Sequence, residues 1–174
     1  MSDLAAALRE VGGPLAAALV DGGSGSRAAR GPAQIAAAGP RASGHESEYE
    51  LLLEMILEGY RLHYDEPLVV HPSDPDLSLL LGDQLYALGL ARLAALGDLD
   101  AVGELADVIS LAAQAHAGAD RELAQAVWEA GAVSVGWGAS EEHRRAKERA
   151  RAHDPGACPA LRRAAARIRE AASL

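Results

Sequence analysis

Phenylalanine is absent from this 174-residue chain, and its aromatic residues are four Tyr and two Trp. A β-sandwich or barrel draws on aromatic and β-branched residues to fill its pleated faces, so this scarcity argues against one. Cysteine is nearly absent as well. Cys158 alone can close no internal disulfide and cannot build a cysteine-based zinc cluster, which fits a reducing compartment. No charge-free apolar run approaches the roughly 18–20 residues of a membrane span. The stretch Met1–Glu10 carries Asp3 and Glu10 and has no basic lead region of a secretory signal, so the expected location is the cytoplasm. HExxH, GxSxG, phosphate-loop and Rossmann glycine patterns are all missing, and Gly22-Gly23-Ser24-Gly25 resembles a phosphate loop in composition only. Catalysis therefore has no local support, and no cofactor or metal is expected.

What the chain does have is helix formers. It holds 39 Ala and 25 Leu, over a third of all residues, within an apolar content of 49%. That content is too high for a wholly disordered chain, and the length suits a single domain with its own core. Alanine buries little area, so a core this rich in it calls for tight helix packing or a partner. The abundance of Ala, Gly and Arg suggests a GC-rich bacterial genome. The net charge of −9 is unevenly spread: residues 1–45 sum to +1, 46–140 to −14 and 141–174 to +4. An acidic body repels phosphate backbones and anionic lipid, which argues against nucleic acid as a partner. The basic residues from Arg144 to Arg169 alternate with acidic ones and read as a solvated helix face.

Punctuation along the chain predicts an all-α bundle. Residues 4–20 form a short helix broken at Gly12-Gly13-Pro14, and 21–45 read as a Gly/Pro/Ser-rich flexible linker with one turn at 33–38. On this reading residues 1–45 are separate from a helical domain at 46–174, which should stay folded without them. Ser47 and Glu50 fit a capping box, after which Tyr49, Leu52, Leu53, Ile56, Leu57, Tyr60 and Tyr64 recur at helical spacing. Glu50, Glu54 and Glu58 line another face, solvated or awaiting basic groups. Asp74-Pro75 opens a helix whose leucines, from Leu77 to Leu96, run nearly all round it, which predicts a central helix buried on several sides. Gly97-Asp98 ends that helix and caps the next, which buries Val102, Leu105, Ala106, Ile109 and Ala113 and exposes Glu104 and Asp107. Asp120 caps a helix in which Gly131, Ala132 and Gly136 admit a close neighbour. Ser140 caps a charged helix, and Pro159 starts a last one that ends near Ala172. The sum is five or six helices in the body.

Two features invite chemistry. His63 and Asp65 are neighbours, but two residues do not make a coordination sphere. Asp83 is a carboxylate in the most apolar helix: either it is a satisfied core group, paired with Arg92 or a backbone, or it faces a groove at an interface or cavity.

The run Leu79-Leu80-Leu81-Gly82-Asp83-Gln84-Leu85-Tyr86-Ala87 resembles the central "AGD-x-L-x-A" helix of trans-polyprenyl diphosphate synthases. The following helix, with Leu105 to Ser110 and Gln114, is similar to the one ending in Gly-Gln in that family. The stretch from Trp128 to Ala139 resembles the next, more faintly, so that residues 48–140 are covered. The family's two DDxxD motifs, which hold the Mg²⁺ ions that ionise the allylic diphosphate, are missing, and Leu62-His63-Tyr64-Asp65-Glu66-Pro67 stands where the first should be. The resemblance thus implies a truncated isoprenoid-synthase-like bundle and not an enzyme by itself. It implies a small partner subunit that packs on a catalytic prenyl synthase and helps set product length, with menaquinone side chains as one destination. Gly82, Asp83, Tyr86, Leu81, Leu85 and Gln114 are the candidate interface or cavity residues. The alternative is an accessory or scaffold subunit of another bacterial complex, with the fold retained and the prenyl role lost. A homodimer is also compatible with such packing.

Overall fold

The computed structural model describes residues 3–20 and 31–172. Among them the chain forms helices and turns with no strand, apart from one isolated bridge between Leu19 and Val70. The helices are α1 (Asp3–Val11), α2 (Gly13–Ala17), α3 (Pro32–Ala37), α4 (Glu46–Tyr64), α5 (Pro75–Ala95), α6 (Leu99–Ala117), α7 (Arg121–Trp137), α8 (Glu141–Arg151) and α9 (Ala157–Ala171), with a 3-10 turn at Pro40–Ala42. The body from α4 onward is an all-α bundle of six helices, as composition and spacing predict. None of the described helices is long and apolar enough to cross a membrane.

Side-chain caps set the corners. Asp74, Asp98, Asp120 and Ser140 accept from the backbone N–H of Leu77, Ala101, Leu123 and His143 at 2.8, 3.1, 2.9 and 3.1 Å. Gly97 turns the chain between α5 and α6 at φ +83°, where a side chain is strained. The capping box at Ser47 does not form. The helix begins at Glu46, whose side chain accepts from the Gly44 N–H, and Glu50 instead accepts from Gln34 Nε2 at 2.8 Å.

The centre of the molecule is α7, in which twelve of seventeen residues are buried, including the run from Ala130 to Gly136. It is walled by α3, α6 and α9. Gly136 admits the backbone of α3 so closely that a Cβ there would stand 2.5 Å from the Ala36 carbonyl oxygen, as the small residues of this helix predict. The expected turn at 33–38 is present as α3, and the expectation of a loose linker around it is corrected for residues 31–45. Ala33, Ala36 and Ala42 are fully buried in the main core, and Arg41 and Tyr49 both bond Asp98 at the corner between α5 and α6. Small residues allowed this: alanine and glycine gave no apolar period to read, yet they fit a closely approached helix. The rest of the linker, residues 21–30, lies outside the described residues.

A second, smaller core joins α1 and α2 to α4 and α5 through Leu4, Leu8, Leu15, Met55, Leu62, Leu81 and Leu85. It is locked by Glu58. Of the two readings of the Glu50, Glu54 and Glu58 face, solvated or awaiting basic groups, the solvated one is corrected at Glu58, whose side chain is fully buried. Its Oε1 accepts from the N–H groups of Leu68, Val69 and Val70 at 2.8, 2.6 and 3.0 Å, while Arg61 approaches Oε2 at 3.2 Å. One carboxylate thus organises the loop after α4, and Val20 and His71 bond across that loop to hold the end of the N-terminal hairpin of helices.

Candidate functional site

The seam between α4 and α5 is the most extensive helix pairing in the body, and glycines bring the two backbones together along it. A Cβ at Gly59 would stand 2.8 Å from the Gly82 carbonyl oxygen. One at Gly89 would stand 2.5 Å from Ile56 Cγ1 and 2.9 Å from the Leu52 carbonyl oxygen. These contacts turn the Gly82, Leu85, Gly89 and Leu93 stripe of α5 inward. The opposite stripe, Leu80, Gln84, Ala87 and Ala91, is exposed, with Leu80 at 66% and Leu79 at 47%. The predicted central burial of this helix is therefore corrected. The helix is apolar on both sides, but only the glycine side has a neighbour.

Of the candidate residues, the structure brings together Gly82, Asp83 and Tyr86 around His63. The imidazole lies over Gly82 and stacks on Tyr86, with centroids 5.4 Å apart and planes within 2°. Its Nε2 stands 3.1 Å from Asp83 Oδ1, close enough for an ion pair but without hydrogen-bond alignment. Asp83 is neither buried nor paired with Arg92: its side chain is 72% exposed. The reading of Asp83 as a satisfied core group is therefore corrected. Leu81 and Leu85 are buried in the small core, and Gln114 is exposed on α6 outside this group.

Behind His63 lies an aromatic cluster that the sequence reading missed. Tyr64 stacks on His116 at 4.5 Å, Tyr60 Oη is 2.7 Å from His116 Nε2, and Tyr60 meets the Trp128 ring edge-on at 5.2 Å. Burial raises the Tyr60 and Tyr86 hydroxyls above the ordinary phenol range, with neighbouring negative charge adding to it. Both are protonated near neutrality. The Tyr86 hydroxyl and the Trp128 indole N–H are buried without a hydrogen-bond partner among the described residues. The spacing of Tyr60, His63 and Tyr64 on one helix end was the available signal. His63 does not join Asp65, whose Oδ1 accepts from the Glu66 N–H. Among the described residues, no three His, Cys, Asp or Glu side chains converge to hold a metal ion.

A second polar constellation ties α6 to α8. Glu104 is buried, not exposed as expected. Its Oε1 lies 2.6 Å from His143 Nε2 and its Oε2 accepts from Lys147 Nζ at 2.6 Å. Lys147 also donates to Asp107 Oδ2 at 2.7 Å, and Arg151 reaches Oδ1 at 2.6 Å. Burial pushes the Glu104 carboxyl up, but hydrogen bonds and charge from His143 and Lys147 outweigh that and hold it below the ordinary range. Asp107 is likewise held low against its burial by Lys147 and Arg151. This cluster clamps α6 to α8.

No family model, curated protein or solved structure matches the chain. The site is thus read from its own residues: an apolar helix face with an outward aspartate, beside a cluster of stacked aromatic rings.

Proposed function

We propose that the chain is a non-catalytic partner subunit that docks through the outer face of α5. The observation that carries this reading is the pair Leu79 and Leu80, standing in solvent beside Asp83 on a helix whose inner face is fixed by the Gly59, Gly82 and Gly89 seam. A rigid helix that leaves leucines uncovered has the character of half an interface. The resemblance of Leu79 to Ala87 to the central helix of trans-polyprenyl diphosphate synthases supplies the class of partner: a catalytic synthase that carries both DDxxD motifs, whose product length this chain helps to set.

Co-expression with such a synthase tests the reading. The two chains should co-purify in near-equal amounts, and the product length of the complex should differ from that of the synthase alone, with no turnover by this chain by itself. A synthase that neither retains the chain nor changes its products contradicts the prenyl role. Retention by an unrelated complex would support an accessory subunit that has the bundle without that role.

A further inference from the structure

The docking face is acidic as well as apolar. From residue 62 to residue 91 there is no Lys or Arg and there are five carboxylates, Asp65, Glu66, Asp74, Asp76 and Asp83. None of the five forms an ion pair with a Lys or Arg among the described residues. The same stretch presents Leu68, Leu79 and Leu80. Exposed Val20 is tied through its backbone to Val69, next to Leu68. Farther along α5 the exposed stripe continues with Ala87 and Ala91, small enough for a second helix to lie close.

Resting on the partner-subunit reading for the choice of face, we propose that this surface receives a basic amphipathic helix of the partner protein. The partner's apolar stripe would seat along Leu80, Ala87 and Ala91, and its Lys or Arg residues would meet Asp76 and Asp83 on α5 and Glu66 in the preceding loop. The charge selects this occupant. Nucleic acid and anionic lipid are repelled by five carboxylates that no Lys or Arg among the described residues pairs. A two-fold pairing of this face with a second copy would bring the same carboxylates against each other.

The test uses the full chain and two labelled peptides of about five helical turns, one with a Leu stripe flanked by Lys and one with Glu in place of Lys. Fluorescence anisotropy should show the Lys peptide binding, with affinity falling steeply as salt rises, and the Glu peptide not binding. The charge-neutral double variant Leu79→Ser, Leu80→Ser, with its circular dichroism unchanged, should bind about tenfold more weakly or worse. Asp76→Asn with Asp83→Asn should flatten the salt dependence, and Asp3→Asn with Asp100→Asn, the same charge change elsewhere, should not. The proposal is overturned if both peptides bind alike or if the double leucine variant binds as well as the original. It is also overturned if the chain self-associates through this face, shown by a concentration-dependent mass that the leucine variant abolishes. The two readings fail separately. Peptide binding without capture of a synthase removes the prenyl partner and leaves the surface, whereas capture without peptide binding removes the surface and leaves the partner.

Discussion

Glu104 shows how much one side chain decides in a thin core. Replacing it by Gln leaves the buried Lys147 ammonium with the half-buried Asp107 in place of two carboxylates, and unfolding by urea should show a loss of about 1–3 kcal/mol. The same residue gives a pH dependence. Glu104, Asp107 and Asp98 all have folded pKa values below their ordinary ones, so the unfolded chain binds more protons in that range. Their contribution is therefore complete above about pH 4.5, the ordinary glutamate value, and is lost as pH falls through the lowered values. Denaturation midpoints should be level down to about pH 5 and drop below it, and Glu104→Gln should make the drop shallower; a drop of unchanged steepness would remove the clamp from the account. Glycines offer a contrast of sign. Gly89→Ala meets Ile56 and the Leu52 backbone and should cost about 1–3 kcal/mol, whereas Gly103→Ala on α6 meets nothing within 4 Å and should stabilise by about 0.5–1 kcal/mol. The same urea titrations read both.

At the scale of the helix, what could be read from the sequence was what is local. Asp74, Asp98, Asp120 and Ser140 bond backbone three residues on, so each start was visible in the string, and Gly97 marked its turn. Which face of a helix is buried depends on neighbours, and there the reading failed. On α6 the buried side is rotated to include Glu104 because α8 brings Lys147 and His143 against it. On α5, leucines all round hid the fact that Gly82 and Gly89, seven residues apart, mark the contact side. Of the candidate site, Gly82, Asp83 and Tyr86 do meet, but around His63, whose role comes from a stacking that no spacing within α5 encodes. The corrected placement predicts a split within one helix: Leu85→Ala should cost about 2–5 kcal/mol, and Leu80→Ala no more than about 0.5 kcal/mol. Equal losses would contradict a one-sided α5.

At the scale of the molecule, one core centred on α7 and a smaller one beneath α1 and α2 share α4 as their common wall. Because α3 supplies part of the main core, a chain beginning at residue 46 should lose much of its cooperative unfolding, and one beginning at residue 31 should retain the main core; thermal melts of the two truncations separate these outcomes. Nothing inside either core uses the outer face of α5, and the account gives that face to a partner. The most direct test is affinity capture of the full chain from its native host's lysate, beside the Leu79→Ser, Leu80→Ser variant, with mass spectrometry of what is retained. The account predicts a trans-polyprenyl synthase in near-equal amount with the original chain and its loss from the variant. A chain that holds no stoichiometric partner, or holds one equally well without the two leucines, contradicts it.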